Sequence, residues 1–135
     1  MSVYLLDTNT CVEVLRNRNQ HVVRRFTATA PNNVRLCSVV KGELFYGARK
    51  GSRATANLAT LAVFFASLVS LPFDDAAADI YGTIRADLEK RGMPIGPNDT
   101  MIAAIALQHG LTVATHNTNE FSRVTGLQVE DWTLP

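Results

Sequence analysis

The chain has 135 residues, a length that suits one domain with a real core, and residues 1–135 read as a single unit. Apolar residues make up 47% of it, which excludes a disordered protein. No basic start with a following apolar run and no stretch of about 18 apolar residues is present, which predicts a soluble cytoplasmic protein. Thirteen basic residues stand against twelve acidic ones. Cys11 and Cys37 lie at no metal-ligand spacing and read as buried thiols of a reducing compartment.

Residues 3–6 form a short continuous apolar run, the mark of a strand buried on both faces. Thr10 and Glu13 have the spacing of a capping box, predicting a helix that runs to about residue 17. A second helix is expected over 20–30, stopped by Pro31, with a turn at Asn32-Asn33 and a strand over 34–37. Ser38 is a good N-cap for a helix over 39–50. Gly51 and Ser52 break the chain before a helix over 53–68, and 69–73 is strand-like. Residues 75–91 read as a helix ended by Gly92, and 93–98 as a loop stiffened by Pro94 and Pro97. A helix over 99–109 stops at Gly110. Then come a strand over 111–115, a loop or short helix over 117–123, and a last strand over 127–134. The alternation of strands and helices predicts an α/β sandwich with a mostly parallel sheet of about five strands. In such sheets ligands sit beyond the carboxyl ends of the strands, at the point where strand order reverses.

Four acids fall where that crevice should form. Asp7 ends the first strand, Glu43 lies within an apolar helix, Asp99 opens another helix, and Glu120 follows the fourth strand. Carboxylates are expensive to bury alone, and a hard divalent cation with oxygen ligands offsets the expense, so Mg²⁺ or Mn²⁺ is expected. Setting these four acids aside leaves the remainder with an excess of five positive charges, which suits an anionic partner such as a nucleic acid. Glu43 shares a face with Val39, Val40, Tyr46 and Gly47, and the opposite face is also apolar, so this helix is expected to be buried on most sides. Gly42 is expected to admit the close approach of another backbone. Asp99 shares its face with Ile102, Ala103 and Ala106, so it points where the apolar stripe points; the lesser alternative is a helix cap alone. Thr8 and Asn9 are placed to orient the Asp7 carboxylate, and Thr115 and Asn117 to do the same near Asp99. His116 reads either as a base or RNA contact or as an exposed strand-end residue. The helix over 53–68 carries Val63 and Phe64 outside its core stripe, a surplus that suggests a protein interface, with a homodimer the commonest kind.

These residues resemble the PIN-domain family, and within it the VapC toxins of type II toxin–antitoxin modules. Leu5-Leu6-Asp7-Thr8-Asn9 is similar to the family's first motif, and residues 38–44 with Gly47 to its second. Residues 94–99 followed by Ile102-Ala103-Ala104 are similar to its third, and residues 113–121 to its fourth. The resemblance implies a Mg²⁺- or Mn²⁺-dependent endoribonuclease, acting on tRNA and neutralised by a VapB-type antitoxin. It implies that Asp7 and Asp99 hold a cation, that Glu43 binds it or positions a water, and that Glu120 supplies charge where many relatives carry an Asp and this chain has Asn117. That neutral amide keeps a rival reading alive, a PIN-like RNA-binding or protein-interaction domain with impaired catalysis. Phosphate contacts are expected from Arg16, Arg18, Lys41, Arg49, Lys50, Arg85 and Arg123.

Overall fold

The computed structural model describes residues 2–135. Five short strands, β1 (Tyr4–Leu6), β2 (Val34–Cys37), β3 (Val69–Leu71), β4 (Thr112–Ala114) and β5 (Gln128–Glu130), form one sheet in the order β3-β2-β1-β4-β5. Every pairing is parallel. The chain steps from β1 out to β2 and β3, then returns past β1 to β4 and β5. The order reverses between β1 and β4, which makes their carboxyl ends the crevice position.

Seven α-helices flank the sheet: α1 (Thr8–Arg16), α2 (Gln20–Ala28), α3 (Ser38–Arg49), α4 (Ala54–Ala66), α5 (Asp75–Lys90), α6 (Pro97–His109) and α7 (Thr118–Phe121). With the strand order reversing at β1, the rule that parallel crossovers are right-handed assigns α1–α4 to one face and α5–α7 to the other, giving three layers. The packing pairs agree: α1 with α2, α3 with α4, and α5 with α6. In addition α3 meets α6, which brings together the helices that carry Glu43 and Asp99. No helix of the described residues is long and apolar enough to cross a membrane.

Parallel strands covered on both faces must be apolar throughout, and Leu5, Leu6, Leu36, Val113 and Ala114 are fully buried. The deepest helix is α6, where Ile102, Ala103, Ala104, Ile105 and Ala106 are all buried. Its run of alanines fits this position, since small side chains let a helix with little solvent face lie close against both sheet and neighbours. Gly110 ends α6 in the left-handed conformation, φ 65°, which glycine adopts without steric cost.

Several local expectations change. The first helix begins at Thr8 and not Thr10, because Asp7 is the N-cap: its carboxylate accepts from the Thr10 backbone N–H at 2.8 Å. The capping-box reading is therefore wrong. Ser38 is not a cap either. It lies inside α3, and its Oγ accepts from the Phe73 N–H at 3.1 Å, just beyond the end of β3. The helix α6 starts two residues early, with Pro97 in its first turn, where a missing N–H is harmless. The last strand stops at Glu130, and the following turn is closed by Asp131 Oδ1, which accepts from the Thr133 N–H at 2.9 Å.

The helix α3 is buried along one stripe only, Val40, Leu44 and Ala48, while Phe45 and Tyr46 are exposed. Nothing lies near the space a Cβ would occupy at Gly42, so no backbone approaches there. On α4 only Leu61 is buried, and Val63 is 77% exposed. Cys11 and Cys37 are buried and free, as expected, and burial raises both thiols above their ordinary range.

Truncating Ile105→Ala opens a cavity in the fully buried α6 layer, and a loss of about 2–4 kcal/mol is expected from urea denaturation. Gly110→Ala should lower stability by about 1 kcal/mol in the same measurement, through left-handed strain alone.

Candidate active site

The strand ends are in register. Leu6 pairs with Ala114, and Ala114 with Glu130, so Asp7, Thr115 and Asp131 follow one another along the same edge. The Asp7 N–H donates to the Ala114 carbonyl at 3.2 Å, and the Thr115 N–H donates to the Glu130 carbonyl at 3.0 Å, extending the ladder one residue past each strand.

Asp7 is buried, and both its oxygens are held. Oδ1 accepts from the Thr10 N–H at 2.8 Å, and Oδ2 accepts from the Thr115 hydroxyl. Thr10 is tied in turn, its hydroxyl donating to the Ala114 carbonyl at 2.9 Å. Burial raises the Asp7 carboxyl, the Thr115 and Thr10 donors pull it down, and Glu43 pushes it up again, with a net rise.

Glu43 is half-buried and accepts from the Thr8 hydroxyl at 2.6 Å, which joins α1 to α3. Asp99 lies in the first turn of α6. Asn117 donates from Nδ2 to Asp99 Oδ2 at 3.1 Å and to Glu120 Oε2 at 3.1 Å. The Asn117 N–H is itself held by Thr115 Oγ1 at 2.9 Å. Burial and the charges of Asp7, Glu120 and Glu43 push the Asp99 carboxyl up to about 6, against the pull of Asn117.

The four sequence-predicted acids thus come within electrostatic reach of one another. Their supports differ in part from expectation. Thr8 serves Glu43 and not Asp7, Thr115 serves Asp7 and not Asp99, and Asn9 is exposed on α1. Thr10 was missed as a support because its spacing imitates a cap, whereas its real role follows from an Asp three residues before it. Asn117 does stand at Asp99, and it bridges two acids, which a carboxylate in its place could not do.

The seven basic candidates separate clearly. Arg16 and Lys50 line a groove of about 480 Å³ with Thr8, Val12, Leu15, Glu43, Leu44 and Leu61, so they stand beside an acid of the cluster. Arg49 is exposed on α3. Arg18 pairs with Glu13, Arg85 with Glu89, and Arg123 donates to the Pro94 carbonyl at 3.0 Å. Lys41 sits 4.7 Å from the centre of the Phe65 ring.

None of the ion pairs among the described residues involves Asp7, Glu43, Asp99 or Glu120. Their charge is uncompensated, and their oxygens are the ligand type that Mg²⁺ and Mn²⁺ take. The donor chemistry fits such an ion. The side chains do not form a closed cage: among the described residues no group of three or more Asp, Glu, His or Cys side chains is arranged to hold a metal. The acids are instead spread by the Thr and Asn donors between them.

A family profile for the PIN domain matches residues 4–127. The chain belongs to the PIN-domain family. Within that family it is 42% identical over 134 residues to a tRNA(fMet)-specific endonuclease VapC of Salmonella typhimurium, covering 98% of this chain and 99% of the relative. The same identity and coverage hold for the protein of that name from Shigella flexneri. Among solved structures, a DNA-bound VapBC complex from Salmonella typhimurium contains a chain that matches with a TM-score of 0.90, 40% identity, and coverage of 98% of this chain and 99% of that one. A VapBC2 complex from Rickettsia felis, bound to a DNA fragment from its promoter, matches with a TM-score of 0.89 and 33% identity, covering 96% and 98%. The parallel five-stranded PIN sandwich is common to them.

The raised Asp99 carboxyl gives a signed pH dependence. A folded value near 6 lies above the unfolded carboxylate value, so the folded chain holds the extra proton between about pH 4 and 6. Stability is therefore lost as pH rises through that window, and the whole penalty is present above it. In EDTA, Asp99→Asn is expected to raise Tm by about 2–5 °C at pH 7.5 and to change it little at pH 4. Thermal melts at the two pH values decide this.

Proposed function

We propose that this protein is a VapC-type toxin. In this reading it is a Mg²⁺- or Mn²⁺-dependent endoribonuclease that hydrolyses phosphodiester bonds of tRNA, initiator tRNA foremost, in the cytoplasm, and a VapB-type antitoxin restrains it. The observation that carries this reading is the group of four uncompensated acids at the sheet's carboxyl edge, with Asp99 pushed up to about 6. The names of the relatives add the substrate class: those from Salmonella typhimurium and Shigella flexneri are tRNA(fMet)-specific endonucleases.

In this reading Asp7 and Asp99 hold the cation, with Glu43 and Glu120 beside it. The bound ion would supply Lewis-acid activation of water and neutralise charge on the attacked phosphate. The chain's own residues do the positioning. Thr10 and Thr115 fix both oxygens of Asp7, so its carboxylate cannot rotate. Asn117 keeps Asp99 and Glu120 at a set separation without adding charge. Glu43, steadied by Thr8, has a second oxygen free to orient a water. Arg16, Arg49 and Lys50 are the bases left to meet the phosphate backbone, although Lys50 lies over the Tyr46 ring as Lys41 does over Phe65; Arg18, Arg85 and Arg123 are hydrogen-bonded within the chain.

The groove that opens at Thr8 and Glu43 is apolar along Val12, Leu15, Leu44 and Leu61 and basic at Arg16 and Lys50. An antitoxin segment with an apolar face fits that composition. Seated there, it would cover Glu43 and the two basic residues at once, so inhibition is direct occlusion of the RNA path. The exposed apolar side chains Phe45, Tyr46 and Val63 on α3 and α4 supply a surface for a homodimer.

Purified protein incubated with initiator tRNA and Mn²⁺ is expected to cut it, and EDTA to stop the cutting. Asp7→Ala and Asp99→Asn should lower the rate at least about 100-fold while leaving the far-UV spectrum unchanged. Undiminished cleavage by either variant, or in EDTA, rejects the assignment. Binding of tRNA to Asp99→Asn should fall with salt at a slope of about −2 to −4 in log–log form, and a flat response removes the basic residues from the interface. Asn117→Asp should lower Tm in EDTA and enlarge the Tm gain on adding Mn²⁺, because it trades a hydrogen-bond donor for a further acid.

A further inference from the structure

His116 occupies the position between Thr115, which holds Asp7, and Asn117, which holds Asp99 and Glu120. Its side chain is 74% exposed, yet one edge of the ring is tied down. Nδ1 lies 3.1 Å from Asp131 Oδ2 and 3.1 Å from Thr133 Oγ1. Asp131, only 11% exposed, is itself gripped: its Oδ1 accepts from the Thr133 N–H at 2.9 Å and from the Thr133 hydroxyl at 2.6 Å. Burial would raise the Asp131 carboxyl, but the Thr133 donors and His116 hold it below the usual carboxylate range.

This arrangement decides where the imidazole hydrogen lies. An ionised carboxylate only accepts. The Thr133 hydroxyl has given its hydrogen to Asp131, so it too presents a lone pair to the ring. Both neighbours of Nδ1 therefore require the hydrogen on Nδ1, and in the neutral imidazole Nε2 is an acceptor. No hydrogen bond among the described residues uses Nε2, so in the neutral ring its free edge is an acceptor on the loop after β4, one residue from each of Thr115 and Asn117, which hold the acids.

Phosphate oxygens also only accept and have nothing to offer that lone pair. The donor that an RNA backbone carries, and a DNA backbone lacks, is the ribose 2′-hydroxyl. We infer that His116 is a substrate contact whose Nε2 accepts a hydrogen bond from a ribose 2′-hydroxyl of the bound RNA, with Asp131 and Thr133 as its positioning residues. The inference rests on the ribonuclease reading of the same site, and it adds a residue that tells RNA from DNA. Preference for RNA then comes from a hydrogen-bond acceptor on the loop after β4, in addition to any contact the acids make.

The test uses the full chain with Mn²⁺ and initiator tRNA, assembled by ligation so that each nucleotide at and beside the mapped cleavage site is made 2′-deoxy in turn. For the natural chain, one such position should raise KM about three- to tenfold with kcat within about twofold, the range of one hydrogen bond. His116→Phe should raise KM on the all-ribose substrate by the same factor, and the sensitive position should then have no further effect. His116→Gln, whose amide oxygen can accept, should recover part of both. Matching thermal melts of the three proteins are expected at so exposed a site. If no single 2′-deoxy position matters to the natural chain, or if its effect persists in full in His116→Phe, the inference is overturned while the nuclease reading stands. If the natural chain leaves the all-ribose substrate intact, the nuclease reading fails and takes the inference with it.

Discussion

Mutual repulsion among carboxylates at one edge of a parallel sheet is the constraint around which this molecule is arranged. Asp7, Glu43, Asp99 and Glu120 reach that edge from four different segments, and among the described residues no lysine or arginine forms an ion pair with any of them. Burial and their neighbours' charges together keep Asp99 near 6. Neutral donors restrain the group. Thr8, Thr10, Thr115 and Asn117 hold the oxygens in place without cancelling their charge. A positively charged partner in any of those places would relieve the repulsion and, with it, the attraction for a divalent cation.

Such an unfavourable group persists only on a firm support. The support here is a sheet whose central strands are buried on both faces and a helix, α6, with hardly any solvent face. The in-register strand ends matter as much as the core, since they set Asp7, Thr115 and Asp131 in one row. The helices α3 and α6 then deliver Glu43 and Asp99 through their contact with each other. On α4 the arrangement is mixed: Val63 is exposed, whereas Leu61 is buried and Leu58, Phe64 and Phe65 pack against the core, Phe64 on Phe26.

Much of this was legible in the residues. Short apolar runs and intervening helical patterns gave the parallel α/β layering, and the four acids stood out because Asp7 ends an apolar run, Glu43 lies within one, Asp99 opens a helix and Glu120 follows a strand. What could not be read was which small polar residue serves which acid. Thr8 touches Glu43, 35 positions away, and Thr115 touches Asp7 across 108. Local spacing carries no record of such pairings. Thr10 was misassigned for the same reason, since a threonine three residues before a glutamate fits a capping box whether or not an aspartate upstream has taken the cap. The burial of α3 was overread because its apolar residues outnumber those its single core stripe uses; Phe45 and Tyr46 are apolar and exposed. The basic residues had the opposite problem, as sequence shows charge but not that Arg85 and Arg123 are already engaged.

The strand order has a consequence for how such a chain is made. Asp7 is translated 108 residues before Thr115, which fixes it, and well before β4, which flanks it. Until β4 slides in next to β1, the aspartate has no rigid seat and the crevice lacks one wall. A chain that has not yet made β4 therefore lacks an assembled acid cluster.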